Sequence, residues 1–221
     1  MIMVSFDFLS KPIVFDENNI SVLCIENHKL FRSIYNAFIS EKSEENGIVF
    51  SENFIPFNTK GNICVIDDFF RLSYSNAIIK KLYEQIEKFT VSDLQHETWQ
   101  LKAHIINFME LIVKSFDYDF DFNYDINLSD IFKMLSLKPA TDKNEILDIL
   151  LDYILILNRY APPKCFILLN LHLYFSIDEL NLFYNDIVNN HIDILVLENT
   201  KNFNRSDFEN VIVYDNDFCE I

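Results

Sequence analysis

Residues Phe116 to Asp125 read FDYDFDFNYD, a strict alternation of aromatic rings and oxygen-bearing side chains. Asp117, Asp119, Asp121, Asn123 and Asp125 share one parity; Phe116, Tyr118, Phe120, Phe122 and Tyr124 share the other. In an extended segment a period of two puts every acid on one face. A row of like charges calls for a cation or for solvent. Oxygen ligands without Cys or His suit calcium or magnesium rather than zinc. Counted from Asp119, DFDFNYDINLSD reproduces the oxygen offsets of an EF-hand loop, with Asp130 in the last place. That loop wants Gly at its sixth place and Glu at its last, where this chain has Tyr124 and Asp130, which excludes a true EF-hand. A looser calcium site on these carboxylates and a solvated acidic edge that discourages strand pairing both stay open.

Other chemistries are weaker. Ile63-Cys64-Val65-Ile66-Asp67-Asp68 has the form of a strand whose closing acids hold magnesium beside a nucleotide. A phosphate cradle needs a glycine-rich loop, and the only glycines are Gly47 and Gly61. Glu26-Asn27-His28-Lys29 also sets a carboxylate where phosphate would approach, so no nucleotide is expected. The enzymatic alternative is a metal-dependent nuclease using Asp67 and Asp68 with the 117–125 acids. Against it, no Lys or Glu follows Asp68 closely, and Phe69-Phe70 suits packing. His96 and His104 do not make H-E-x-x-H, while capping or solvent accounts for His172 and His191 near strand and helix ends. No Ser or Cys has an activating arrangement, so no catalytic residue is expected.

The elements that must position these residues follow from periodicity. Short apolar runs at Ser21–Ile25, Ile63–Ile66, Cys165–Leu169, Ile192–Leu197 and Val211–Tyr214 suit strands of a parallel sheet buried on both faces. Ser176-Ile177-Asp178-Glu179 is a capping box opening an amphipathic helix, so residues 165–197 read as a βαβ unit. Ser92-Asp93-Leu94-Gln95 reads as a second box, before Leu94, Leu101, Ile105, Phe108 and Ile112 at helical spacing. Further helices are expected from Leu128 to Ser136, and from after Thr141 to before Ala161-Pro162-Pro163. The expected fold is α/β: a mostly parallel sheet in a head of residues 1–90 and 160–221, with a helical insertion over 91–159.

Half of the 221 residues are apolar, enough for a substantial core. The formal charge of −16 opposes general adhesion to nucleic acid, so any DNA-binding face must be local. Cys24, Cys64 and Cys165 lie in or beside strand-like runs, and with Cys219 they read as thiols in a reducing cytosol. No signal peptide or membrane span is expected, which suggests a soluble, cytoplasmic protein.

The order SVLCIEN–LFRSIYNAF, NICVIDDF–AIIKKLYEQIE, DFNYDINLSDIFKMLSLK, FILLN–SIDELNLFYNDI–IDILVLEN and VIVYDNDF resembles the small CRISPR-associated adaptation protein of bacterial type II-A systems. The likeness runs over nearly the full length, and its most specific piece is Asp121 to Lys138. It implies a homotetrameric ring of α/β heads, similar to a degenerate P-loop ATPase, with helical legs. It further implies calcium held by acidic side chains, and sequence-independent, non-enzymatic binding of linear double-stranded DNA ends during spacer acquisition. Asp121, Asn123 and Asp125 match the family's metal stretch, with Asn123 in place of an acid; Asp117, Asp119 and Asp130 extend it. Lys80, Lys133 and Lys138 match basic positions and are the expected DNA contacts, followed by Lys29, Arg32, Arg71 and Lys81. The integrase pair and the RNA-guided effector nuclease are the implied protein partners.

Overall fold

The structure is a computed structural model that describes residues 1–16, 18–40, 42–140 and 145–221. It is a mixed α/β protein in two packed units, Met1–Leu72 with Lys143–Ile221, and Ser73–Asp142.

The first unit is built on five parallel strands, β3 (Ile20–Ile25), β6 (Ile63–Ile66), β7 (Cys165–Leu169), β8 (Ile194–Glu198) and β9 (Glu209–Tyr214). Their order is β6-β7-β8-β3-β9, every pair parallel. These are the five runs marked in the sequence. Continuous apolar composition works here because β3, β7 and β8 are buried on both faces. Leu23, Ile25, Ile167, Leu169, Leu195 and Leu197 face a core shared with α1 (His28–Ile39). The opposite parity, including Val22, Phe166 and Val196, is also buried. Helices α5 (Ile146–Tyr160) and α6 (Ile177–Asn189) pack on each other and bury Leu150, Ile154, Leu180 and Ile187 completely.

A second sheet lies outside the five apolar runs. Strands β1 (Ile2–Phe6), β2 (Ile13–Val14), β4 (Ile48–Glu52) and β5 (Ile55–Pro56) form an antiparallel sheet of order β2-β1-β4-β5. Val4, Phe6, Ile48 and Phe50 line its buried face and join the same core. Gly47 makes its approach to the sheet possible: φ is +71°, and a Cβ there would sit 1.9 Å from an Asp7 carboxylate oxygen.

The second unit holds α2 (Asn76–Asp93), α3 (Gln95–Lys114) and α4 (Leu128–Met134). Its limits, 73–142, differ from the 91–159 drawn from sequence, because α2 packs with α3 and α4 while α5 packs with α6. Ser176 and Glu179 make the expected reciprocal capping box. Ser92 does not cap: α2 continues through Asp93, the Ser92 hydroxyl donates to the Phe89 carbonyl, and Leu94 stands at the head of α3 without a side-chain cap. A helix already running leaves its next serine no free amide to accept from. The helix expected after Thr141 begins at Ile146; Thr141 lies outside the described residues.

Candidate functional site

The second unit gathers the acidic run and four of the marked lysines. Its small core is Leu82 and Tyr83 from α2 with Leu128 from α4. Tyr83 Oη donates to the Leu137 carbonyl at 2.8 Å, and the Tyr83 ring lies 5.6 Å from that of Phe132. Ser129 Oγ donates to Glu87 at 3.0 Å. Asn127 accepts from the Ser129 amide at 2.9 Å and caps α4, which anchors the C-terminal end of the acidic run.

The run itself is not a strand. Residues 119–127 have no regular structure, since the unit is helical and offers no edge to pair with. The two parities therefore do not separate into a wet and a buried face. Asp117, Asp119, Asp121, Asn123, Asp125 and Asp130 are exposed, and so are Phe116, Tyr118, Phe120 and Tyr124. The rings pair locally instead, Phe116 with Phe120 at 5.5 Å and Phe122 with Tyr124 at 4.5 Å. Asn123 Oδ1 accepts from the Asp125 amide at 2.9 Å, and Asp130 pairs with Lys133 at 2.8 Å. Among the described residues of one chain, no three His, Cys, Asp or Glu side chains meet in a group that could hold a metal ion.

Lys80, Lys81, Lys133 and Lys138 all project into solvent from this unit. Lys133 is pushed above the ordinary lysine range by its hydrogen bond to Asp130 and that group's charge. Lys80 and Glu84 stand one turn apart on α2, both exposed. Lys29 and Arg32 are exposed on α1 of the other unit, and Arg71 lies 3.8 Å from Asp68 there. Asp67 and Asp68 have structural partners: Asp67 accepts from Tyr35 Oη at 2.8 Å, and Asp68 accepts from the Phe70 amide at 3.0 Å. Phe69 is buried, as expected of a packing residue, whereas Phe70 is 58% exposed and meets the surface ring of Tyr174 edge-on, 5.4 Å away.

Helix α3 is the least satisfied element. It is 20 residues long and buries none of them. Trp99, Phe108 and Leu111 are 68%, 62% and 63% exposed, and Leu101 is exposed as well. Leu101 and Phe108 belong to the seam marked in the sequence, whereas Trp99 and Leu111 lie off it. A helix apolar on more than one side belongs inside something.

One group of functional interest escaped sequence reasoning. His172, which follows β7, is buried with its side chain 4% exposed. Its Nδ1 is 2.8 Å from Glu198 Oε1 and its Nε2 2.6 Å from Glu209 Oε1. Burial alone would lower its pKa, but the two hydrogen bonds and the two carboxylate charges outweigh this and raise it to about 9. The available signal was an acid closing the apolar run ILVLE and another opening ENVIVY. Burial also pushes the Cys24 thiol up to about 12 and the Cys64 thiol to about 11, which makes both poor nucleophiles. No helix among the described residues is long and apolar enough to cross a membrane.

A family model described as CRISPR-associated protein (Cas_Csn2) matches residues 39–218. No match was found among curated proteins.

Proposed function

The chain belongs to the CRISPR-associated (Cas_Csn2) family, and from that membership we propose that it is a non-enzymatic binder of linear double-stranded DNA ends in spacer acquisition. In this reading it works as a homotetrameric ring stabilised by calcium, and duplex enters the lumen from its ends. The observation that carries the assembly is α3, 20 residues long with none buried. Trp99, Leu101, Phe108 and Leu111 need apolar cover that the second unit's own core of Leu82, Tyr83 and Leu128 does not supply. A second copy provides cover of matching chemistry.

Charge supports the same arrangement. Four copies carry 4 × −16 = −64, so duplex is repelled except where cations concentrate. Lys80, Lys81, Lys133 and Lys138 share one unit, and we assign them to the lumen, with Lys29, Arg32 and Arg71 as outer contributors. Contacts to phosphate position a duplex without reading its sequence. Among the described residues one chain closes no metal group, and in this reading calcium is shared between copies, with Asp121, Asn123 and Asp125 at its centre and Asp117, Asp119 and Asp130 beside them. The integrase pair and the effector nuclease are the protein partners in this account. The nuclease alternative finds little support, because Asp67 is bonded to Tyr35 and Asp68 lies beside Arg71.

Size-exclusion chromatography with calcium or chelator, with and without blunt duplex, tests the proposal. It requires calcium to favour a tetramer that co-elutes with duplex. An unchanged elution in all four conditions contradicts it, and cleavage of the duplex in magnesium or manganese supports the nuclease reading.

A further inference from the structure

The first unit contains a buried charge cluster that DNA binding does not use. His172 sits between Glu198, which ends β8, and Glu209, which begins β9. Both carboxylate side chains are at most 2% exposed. Phe203 stacks on the imidazole with centroids 4.0 Å apart. An ionised carboxylate only accepts hydrogen bonds, and a neutral imidazole donates from just one nitrogen. Two ionised carboxylates at 2.8 and 2.6 Å from opposite nitrogens therefore both accept from the ring only when it is the imidazolium.

The same two carboxylates bind the backbone around them. Glu198 accepts from the His172 amide at 3.0 Å, and Glu209 accepts from the Ser206 amide at 3.0 Å. The cluster thus ties the turn after β7 to the crossover 199–208, which links β8 to β9 without helix or strand. Around it stand Tyr184 of α6, whose buried hydroxyl faces Glu209, and Cys24 of β3, which is paired in register with Glu198. Further out, Lys201 pairs with Glu26 at 2.9 Å, and Arg205 is exposed. With the imidazolium in place the cluster carries one net negative charge. Without its proton it holds two carboxylates and no cation, in a site closed to solvent.

We infer that His172 is a proton-dependent latch: its charged form holds the crossover 199–208 against the sheet, and loss of that proton releases it. Opening exposes the imidazole and returns its pKa from about 9 toward the ordinary value of about 6.5. Between those values opening releases a proton, so the opening equilibrium rises about tenfold per pH unit, roughly 300-fold over the window. Below about 6.5 the latch is insensitive to pH.

Hydrogen exchange of the full chain tests this, read on peptides covering 199–208 with the intrinsic pH dependence of exchange divided out. The expected result is a tenfold loss of protection per pH unit above neutrality in those peptides, with β7 and β8 unaffected. His172→Gln is expected to leave the crossover open at every pH and to abolish the slope. Should that variant fail to fold, the imidazole Cε1 proton of the unmodified protein is titrated by NMR. A midpoint near 9 supports the latch. A midpoint at or below 6.5, or protection that does not change with pH, overturns it.

Discussion

Replacing Phe108 by Asp is the sharpest test of the assembly face. Phe108 is 62% exposed on α3. A phenylalanine buries about 200 Å² when fully covered, so roughly 125 Å² of apolar surface awaits a partner. At about 25 cal/mol per Å² this is worth about 3 kcal/mol per copy. Ordering costs at an interface consume part of that, which leaves an expected weakening of self-association of about 10- to 100-fold. The folded chain should hardly notice: α3 buries none of its residues, and Phe and Asp have similar helix propensities, so stability should change by no more than about 0.5 kcal/mol. Leu82→Ala is the contrasting variant, since Leu82 is buried in the second unit's core and its truncation should cost about 2–4 kcal/mol. Sedimentation velocity over a concentration series in calcium, with thermal unfolding of the same samples, reads both quantities. If Phe108→Asp sediments like the unmodified protein, or lowers stability as much as Leu82→Ala, α3 is not the assembly face.

Other consequences are equally direct. Folding raises the His172 pKa, so the group's contribution is fully present below about pH 6.5 and lost as pH rises through about 9. Unfolding free energy should fall by up to about 3.4 kcal/mol across that window, with the slope absent in His172→Gln, as chemical denaturation at several pH values will measure. Gly47→Ala should destabilise the first unit by about 1–2 kcal/mol, and adding Asp7→Ala should recover the steric share but not the share owed to positive φ. Charge reversal of Lys80 or Lys138 should weaken duplex binding equally for unrelated sequences and flatten its salt dependence, as fluorescence anisotropy across a salt series will show.

The parallel sheet was readable because its three central strands are buried on both faces, so apolar composition alone marks them, and its two edge strands keep the same apolar character. FILLN and ILVLE carry no competing signal. The antiparallel sheet was hidden because two of its strands, Ile13–Val14 and Ile55–Pro56, are two residues long, and because β1 lies in MIMVSFDF, where alternation is imperfect. The acidic run shows the opposite failure. Its period of two is a strand pattern without a strand, since pairing depends on a neighbouring edge that local residues cannot specify. Capping or solvent does not account for His172 after all: its partners lie 26 and 37 positions away, and only the sheet order brings them to it. The family itself was legible from the order of segments, and the match over 39–218 agrees with it.

In the proposed function the protein takes hold of DNA at an end. Binding of one blunt linear duplex should be compared with binding of the same sequence closed into a covalent circle, in calcium and at low salt. The linear form should be bound and the circle should not, because a ring must be threaded. Equal binding of the circle, or no binding of the linear duplex, would contradict it.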